Sequence, residues 1–206
     1  MTKVDYKKEF KQFYMPKTVP ELVDVPNMMF FMVDGSGDPN GEEFTRAIEA
    51  LYSLSYAVRM SYKSEDVPEG YYEYTVFPLE GVWDLIDRTK PPTDKSNLKY
   101  TMMIRQPDFV TEQWFQRFLE QTKRKKPNRF LEKVRFESLE EGICCQMMHI
   151  GSFDDEPISF ARMEAYCEEN GFTRVSKIHR EIYLSDLRRT KMEKLKTVLR
   201  FHVEKS

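Results

Sequence analysis

The chain has 206 residues, of which 40% are hydrophobic and 32% charged, a composition typical of a soluble globular protein with one large domain or two small fused ones. Its 32 basic and 34 acidic residues leave a formal net charge of -2, which gives no electrostatic reason to expect direct nucleic-acid binding. The sequence has no apolar run of membrane-spanning length, which argues against a membrane protein.

The first 27 residues are predicted to form an irregular lead-in, because Pro16, Pro20 and Pro26 interrupt them. Residues 1–13 are charged and lack the apolar stretch of a signal peptide. A cytoplasmic location is therefore expected. The cysteines Cys144, Cys145 and Cys167 show no C-x-x-C spacing, so they are expected to be reduced and buried.

Strand, turn and helix signals follow one another in the first half of the chain. Residues 28–33 form an apolar run that ends in a Gly-rich turn over residues 34–38, which predicts a strand and then a turn. Asn40 with Glu43 three residues later resembles a capping box and predicts a helix. Residues 71–77 alternate as a strand does, and Glu80 is expected in the turn after them.

The second half begins after a strand over residues 99–106 and a helix that starts at Thr111. Two strand-like pieces are predicted within residues 133–150. A helix with Pro157 near its start and Asn170-Gly171 at its end follows. The remaining strands are predicted over residues 180–185 and 198–203.

An internal repeat is the strongest organisational signal. The turn Gly35-Ser36-Gly37-Asp38 matches Gly151-Ser152-Phe153-Asp154, Phe44 matches Phe160 at the same offset, and the stretches around Glu73 and Glu181 match at a slightly shorter one. The repeat predicts a single domain over residues 28–206 made of two halves, about 28–125 and 133–206. Coincidence is the alternative, because Gly-Ser-x-Asp turns are common.

The repeat predicts an α+β fold of two pseudo-symmetric βαββ modules. Their strands would form one curved antiparallel sheet, with helices on one face and a ligand cleft on the other. Within the 180–185 strand, alternation puts Glu181 and Tyr183 on one face and Ile182 on the other. A carboxylate beside an aromatic ring suits a cationic or weakly basic aromatic ligand.

Four segments resemble the GyrI-like small-molecule-binding family. They are the C-terminal stretch 180–200, the residues 78–83, the turn 33–39 and the segment 99–108. The resemblance runs along almost the whole chain and implies two βαββ modules around a central ligand cleft. It also places Glu181 in that cleft.

The stand-alone chain is similar to one subfamily of that family, which hydrolyses cyclopropane-bearing DNA-alkylating natural products in an aromatic cage. The chain departs from the expected pattern at Leu187 and Met192, where prolines are usual, and at Asp84, where a second tryptophan often stands. The missing tryptophan puts part of such a cage in question.

The candidate catalytic residues are Glu181 and Tyr183, and the candidate ligand-binding residues are Tyr56, Glu80, Trp83 and Trp114. Each has a structural alternative. Glu181 could be a solvated strand carboxylate, the aromatic residues could pack in the core, and Glu80 could hold a turn by hydrogen bonds.

Other chemistries find little support. His149, His179 and His202 lack the spacing of metal ligands, so no metal site is expected. The turn at Gly35 has neither the lysine nor the length of a phosphate-binding loop, and no cofactor is expected. Covalent catalysis by Cys145 would need His149, which alternation places on the same face.

Three functions remain open at this stage. The first is binding and detoxification of hydrophobic, planar aromatic xenobiotics, and the second is hydrolysis of activated cyclopropanes. The third is effector sensing for a transcriptional partner. The expected partner is a small aromatic molecule, with no direct nucleic-acid or membrane contact, and the sequence leaves the oligomeric state undetermined.

Overall fold

The computed structural model describes residues 3–64, 67–91, 94–186 and 189–206. Leu187, one of the two positions where the family usually has proline, lies outside the described residues. The helices in chain order are α1 (Tyr6–Glu9), α2 (Lys11–Tyr14), α3 (Glu42–Arg59), α4 (Glu112–Lys125) and α5 (Glu156–Glu169). The strands are β1 (Glu21–Val25), β2 (Met28–Ser36), β3 (Leu79–Leu85), β4 (Leu98–Arg105), β5 (Arg135–Leu139), β6 (Gly142–Ile150), β7 (Phe172–Arg174), β8 (His179–Tyr183) and β9 (Lys196–Lys205).

The fold class is confirmed as α+β with antiparallel strands, and the order β-α-β-β occurs twice along the chain. The first occurrence is β2-α3-β3-β4, and the second is β6-α5-β8-β9 apart from the short strand β7.

The chain folds into two compact units. The first contains Met28–Phe77 and Leu85–Leu139, and the second contains Lys7–Asn27, Pro78–Asp84 and Glu140–Ser206. The proposed halves 28–125 and 133–206 stay a prediction.

In the first unit, β2 pairs with β4 on one side and with β5 on the other. The ring of Phe31 on β2 lies 5.4 Å from that of Phe115 on α4 and 5.6 Å from that of Phe136 on β5. Helix α4 starts where the sequence predicts, because the Thr111 hydroxyl caps it by accepting from the Trp114 amide.

In the second unit the strand order is β1-β6-β9-β8-β3, and β7 pairs with the end of β9. Helix α5 packs Met163 and Cys167 against Cys145, Leu199 and Phe201 of this sheet. These sheet residues lie on the same face as Glu181, because Glu181 is opposite Leu199 in the β8–β9 ladder. Glu181 and Tyr183 therefore lie on the face that α5 covers.

Four local predictions are wrong. Residues 71–77 are not a strand: Tyr74 makes only an isolated bridge to Val4, and Glu73 pairs with Arg59. The segment holds aromatic rings that pack around Phe109, so side-chain packing and not a strand ladder sets its conformation.

The lead-in also contains structure, since residues 21–25 form β1 and pair with β6. Glu80 lies within β3 and not in a turn. The helix α3 is present, but Gly41 and not Asn40 precedes it as the capping residue, because the Asn40 amide groups donate to Asp38 instead.

Candidate functional site

Strands β8 and β3 bring three of the predicted site residues together in the second unit. His179, Glu181 and Tyr183 alternate along β8 and share one face. Trp83 on β3 is opposite His179, and Gly81 is opposite Glu181. Directly paired residues share a face, so Trp83 joins this group, while Gly81 places no side chain beside the carboxylate.

A chain of hydrogen bonds links these side chains. The indole N–H of Trp83 donates to the Tyr183 hydroxyl at 2.8 Å, and that hydroxyl donates to Glu181 Oε2 at 2.7 Å. The other oxygen, Glu181 Oε1, lies 3.1 Å from His179 Nε2. Both carboxylate oxygens are therefore held in place by neighbouring groups.

Burial keeps the tyrosine protonated. Burial first, and then the charge of Glu181 and the hydrogen bond to it, raise the pKa of Tyr183 well above its usual value. The phenol is therefore a donor at neutral pH, as its hydrogen bond to Glu181 requires. Glu181 itself is only 8% exposed.

A second carboxyl group, which sequence reasoning did not find, completes the site. Glu156 is the first residue of α5 and is 7% exposed. Burial first, and then the charge of Glu181 and a hydrogen bond to it, raise the pKa of Glu156 to about 10. Glu156 is therefore neutral at pH 7 beside the Glu181 carboxyl group. We call Trp83, Glu156, His179, Glu181 and Tyr183 the Glu181 cluster.

Aromatic rings surround the Glu181 cluster. The ring of Phe153 lies edge-on to Tyr183 with centroids 6.1 Å apart, and the ring of Phe160 lies edge-on to His179 at 4.8 Å. His179 Nδ1 lies 3.2 Å from the carbonyl oxygen of Lys177, which orients the imidazole. The cluster thus combines oriented polar groups with apolar walls, as small-molecule sites do.

Two groups among the described residues bring metal-ligating atoms within 4.8 Å of one another. The first group contains Glu156, His179 and Glu181. In the metal-free site Glu156 is protonated, so a cation would bind there only by displacing that proton.

The other group contains Glu141, Cys144 and His202. Glu141 is engaged by Arg180 and Arg200, and burial raises the pKa of the Cys144 thiol to about 12, so the thiolate that binds metals is disfavoured.

The predicted binding residue Glu80 lies on the opposite face of the second unit's sheet from Glu181. It is 1% exposed and accepts from Tyr14 Oη at 3.2 Å and from Arg180 Nη1 at 3.1 Å. Arg180 and Arg200 also pair with Glu141, each at 3.0 Å. This geometry favours the structural alternative for Glu80 over ligand contact.

The predicted residues Tyr56 and Trp114 belong to the first unit. Tyr56 on α3 is 52% exposed, and its ring centroid lies 6.4 Å from that of Tyr52. Trp114 on α4 stacks on Phe118 at 5.6 Å and lies beneath the Arg117 guanidinium at 5.3 Å. Their assignment as ligand-binding residues stays a prediction.

Sequence reasoning missed Glu156 and His179 for different reasons. His179 lies two residues before Glu181, so alternation alone could have placed it on the same face. Glu156 has no such signal, because an acidic residue in the first turn of a helix is normally explained by the helix dipole. The cysteines are free and buried, as expected.

Comparison with known proteins agrees with this fold. A family model described as a GyrI-like small molecule binding domain matches residues 18–204. No curated protein matches the chain. No helix among the described residues is long and apolar enough to cross a membrane.

Solved structures give closer likenesses. An uncharacterized conserved protein from Listeria innocua is 42% identical, with 98% of this chain and 100% of that chain covered and a TM-score of 0.93. A structure described as a hydrolase from Listeria innocua is 41% identical, with the same coverage and a TM-score of 0.90.

The C-terminal domain of EcmrR is 14% identical, covers 91% of this chain and 98% of its own, and has a TM-score of 0.54, which shows a likeness of fold alone. The family match extends over almost the whole chain, and the Listeria structures match it end to end. The chain therefore belongs to the GyrI-like small-molecule-binding family.

Proposed function

We propose that the chain binds hydrophobic, planar aromatic xenobiotics at the Glu181 cluster and detoxifies those that carry a cyclopropane ring by hydrolysing it. The strongest support is the fixed orientation of the Glu181 carboxyl group. It accepts a hydrogen bond from Tyr183 and lies beside a neutral Glu156. The 41% identity to a structure described as a hydrolase supports the same proposal.

The aromatic side chains supply binding. Trp83 and Tyr183 would stack on a planar ligand, and each cation–π contact contributes roughly 0.5–2 kcal/mol when the ligand is cationic. Because Glu181 is nearly buried, one of these rings must shift to admit a ligand to the carboxylate. Trp83 is also only 8% exposed, so a ligand can stack on its ring only if a ring moves.

The chemistry requires little nucleophilic machinery. When a strained cyclopropane is conjugated to a carbonyl group, opening the ring moves an electron pair toward the carbonyl oxygen. A water molecule that donates a hydrogen bond to Glu181 is oriented for attack on the ring carbon, and Tyr183 fixes the carboxylate that orients it. The product carries one added hydroxyl group from water.

Turnover tests this proposal. Catalytic amounts of protein should convert many equivalents of a cyclopropane-bearing alkylator, and water labelled with heavy oxygen should supply the new hydroxyl group. Glu181→Gln or Tyr183→Phe should slow ring opening by roughly 10²-fold or more, the usual range for a lost proton-transfer or orienting group. Binding should persist, because the aromatic walls remain.

A matched control is Glu73→Gln, which changes the glutamate of the other half of the sequence repeat. Glu73 is half-exposed and pairs with Arg59 in the first unit, so ring opening should be unchanged.

If the protein only binds one equivalent of the alkylator and releases no product, sequestration or effector sensing would remain as the function. No covalent adduct on Cys144 or Cys145 is expected, because both thiols are buried and their pKa values are raised. Such an adduct would indicate suicide scavenging and would contradict both hydrolysis and sequestration.

A further inference from the structure

Two carboxyl groups from different elements of the second unit face each other. Glu156 begins α5 and Glu181 lies in the middle of β8, and their oxygens lie within 4.8 Å of one another. Glu156 is more than nine-tenths buried, and its Oε1 has no hydrogen-bond partner among the described residues. This carboxyl oxygen is therefore buried without a partner, and it can meet a bound molecule only when a neighbouring side chain moves.

The groups that face Glu156 are mostly acidic or neutral. From β8 they are Glu181, His179 and Tyr183, and from its own segment Asp154. From β6, both ring nitrogens of His149 are engaged elsewhere, Nδ1 with Ser159 Oγ and Nε2 with the Ser152 carbonyl oxygen, each at 2.9 Å. Asp154 is exposed and screened by solvent, so burial and Glu181 dominate and raise the pKa of Glu156 to about 10.

We propose that Glu156 and Glu181 share one proton and form the acid–base pair of the site, with Glu156 as the proton donor and Glu181 as the proton acceptor. The acid–base role rests on the proposed hydrolysis. Two carboxyl groups this close in a buried site cannot both ionise without a large cost, and such pairs divide into an acid and a base.

Water, Glu181 and Glu156 account for every bond and proton of the reaction. Water loses a proton to Glu181 as its oxygen bonds to the cyclopropane carbon, and the ring carbon–carbon bond breaks. The electron pair moves through the conjugated system to the carbonyl oxygen, which takes the proton of Glu156. The proton on Glu181 then passes to Glu156 through the hydrogen bond between them, which restores the starting state.

Tyr183 is a positioning residue in this scheme and not the acid. Its O–H points to Glu181 Oε2, and its oxygen already accepts from Trp83. Its pKa is raised well above the usual value of a phenol, so it gives up a proton less readily than Glu156.

Infrared spectroscopy tests the shared proton without any ligand. At pH 7 the difference spectrum between the wild type and Glu156→Gln should contain the band of a buried protonated carboxyl group, and taking the difference cancels any contribution of Glu80, whose pKa burial also raises. Glu168→Gln, an exposed glutamate of the same helix, is the matched control and should leave the band unchanged. A difference spectrum without this band would overturn the shared proton.

Kinetics test the acid role. Glu156→Gln keeps the shape and should lower the single-turnover rate of cyclopropane opening by roughly 10²-fold, with ligand affinity unchanged. The wild-type rate should fall as the pH rises through about 10, where Glu156 loses its proton, and the variant should lack that limb.

The outcomes separate the two proposals. No ring opening by the wild type would overturn the hydrolysis and the acid–base role together, while the infrared band would still decide whether the proton is shared. A wild-type rate in Glu156→Gln, with the infrared band lost, would overturn the acid role and leave the hydrolysis proposal intact.

Discussion

Trp83 connects the proposed aromatic wall to the polar part of the site, because its indole N–H donates to the Tyr183 hydroxyl. A bound planar ligand that displaces or stacks on this ring should change its fluorescence. Replacing Trp83 and Trp114, the only tryptophans of the chain, with Phe should abolish ligand-induced quenching.

The same double variant should bind a cationic planar ligand about 2- to 30-fold more weakly, the range that corresponds to one lost cation–π contact. The single variants show which tryptophan carries the effect. Equal affinity in the double variant and the wild type would contradict an aromatic ligand wall.

Glu181 carries the charge of the site. Glu181→Gln keeps the shape but removes the charge, so affinity for a cationic planar ligand should fall at least tenfold, or about 1.4 kcal/mol. A neutral planar ligand of the same shape should lose much less. Titration calorimetry with the two ligands measures the difference, and an equal loss for both would mean that Glu181 acts through structure alone.

At the scale of the elements, the β2–β4 ladder depends on the absence of a side chain at Gly35. Gly35 is paired with Tyr100, and a Cβ atom added there would lie 2.4 Å from the tyrosine ring. Tyr100 is buried and lies edge-on to Phe44 at 5.0 Å, so the ring has little room to move.

Gly35→Ala should therefore lower the free energy of unfolding by about 1–3 kcal/mol, the usual cost of overpacking. Denaturant titration measures this change. The same substitution in a Tyr100→Ala background should cost much less, because the clashing ring is gone. An equal cost in both backgrounds would show that the glycine matters for another reason.

The two turns of the sequence repeat have different backbones. Both precede helices, but the positive φ angle falls at Gly37 in the first turn, at 97°, and at Gly151 in the second, at 136°. These positions do not correspond in the matched segments. The repeat therefore describes the order of elements and not the conformation of each residue.

At the scale of the whole chain, a buried ion network ties distant segments into the second unit. It contains Tyr14, Glu80, Glu141, Arg180 and Arg200. Burial would raise the pKa of Glu141, but Arg180 and Arg200 outweigh burial and lower it. For Glu80 burial outweighs the charge of Arg180 and raises the pKa.

The two carboxyl groups should thus affect stability with opposite pH dependence. A lowered pKa means that Glu141 stabilises the fold above its unfolded pKa near 4.5 and that this contribution is lost as the pH falls through the folded value. A raised pKa means that the contribution of Glu80 is present below its unfolded pKa and is lost as the pH rises through the folded value.

Glu141→Gln should lower the free energy of unfolding by about 3 kcal/mol at pH 7, since it leaves two buried guanidinium groups without their shared partner. It should also make stability fall less steeply in acid. Glu80→Gln is the matched comparison and should instead reduce the loss of stability on the alkaline side. Chemical denaturation from pH 3 to 9 measures both, and parallel curves for the two variants would contradict this account.

The sequence determined the α+β class and most of the regular elements, because these depend on local periodicity, turns and caps. The family came from the resemblance of four whole segments. It also placed Glu181 and Tyr183 on one strand face, since alternation is a local property. The family resemblance was confirmed over residues 18–204.

Only the tertiary structure decided which residues accompany Glu181. Glu80 and Trp83 lie three residues apart on β3, yet pairing with β8 puts the first among buried arginines and the second beside Tyr183. In the first unit, residues 71–77 form an aromatic cluster and not the predicted strand, because rings packed around Phe109 replace a strand ladder. Glu156 joins the site from a helix start 25 residues before Glu181, and its proton is held by burial and by a neighbouring charge, neither of which a local pattern encodes.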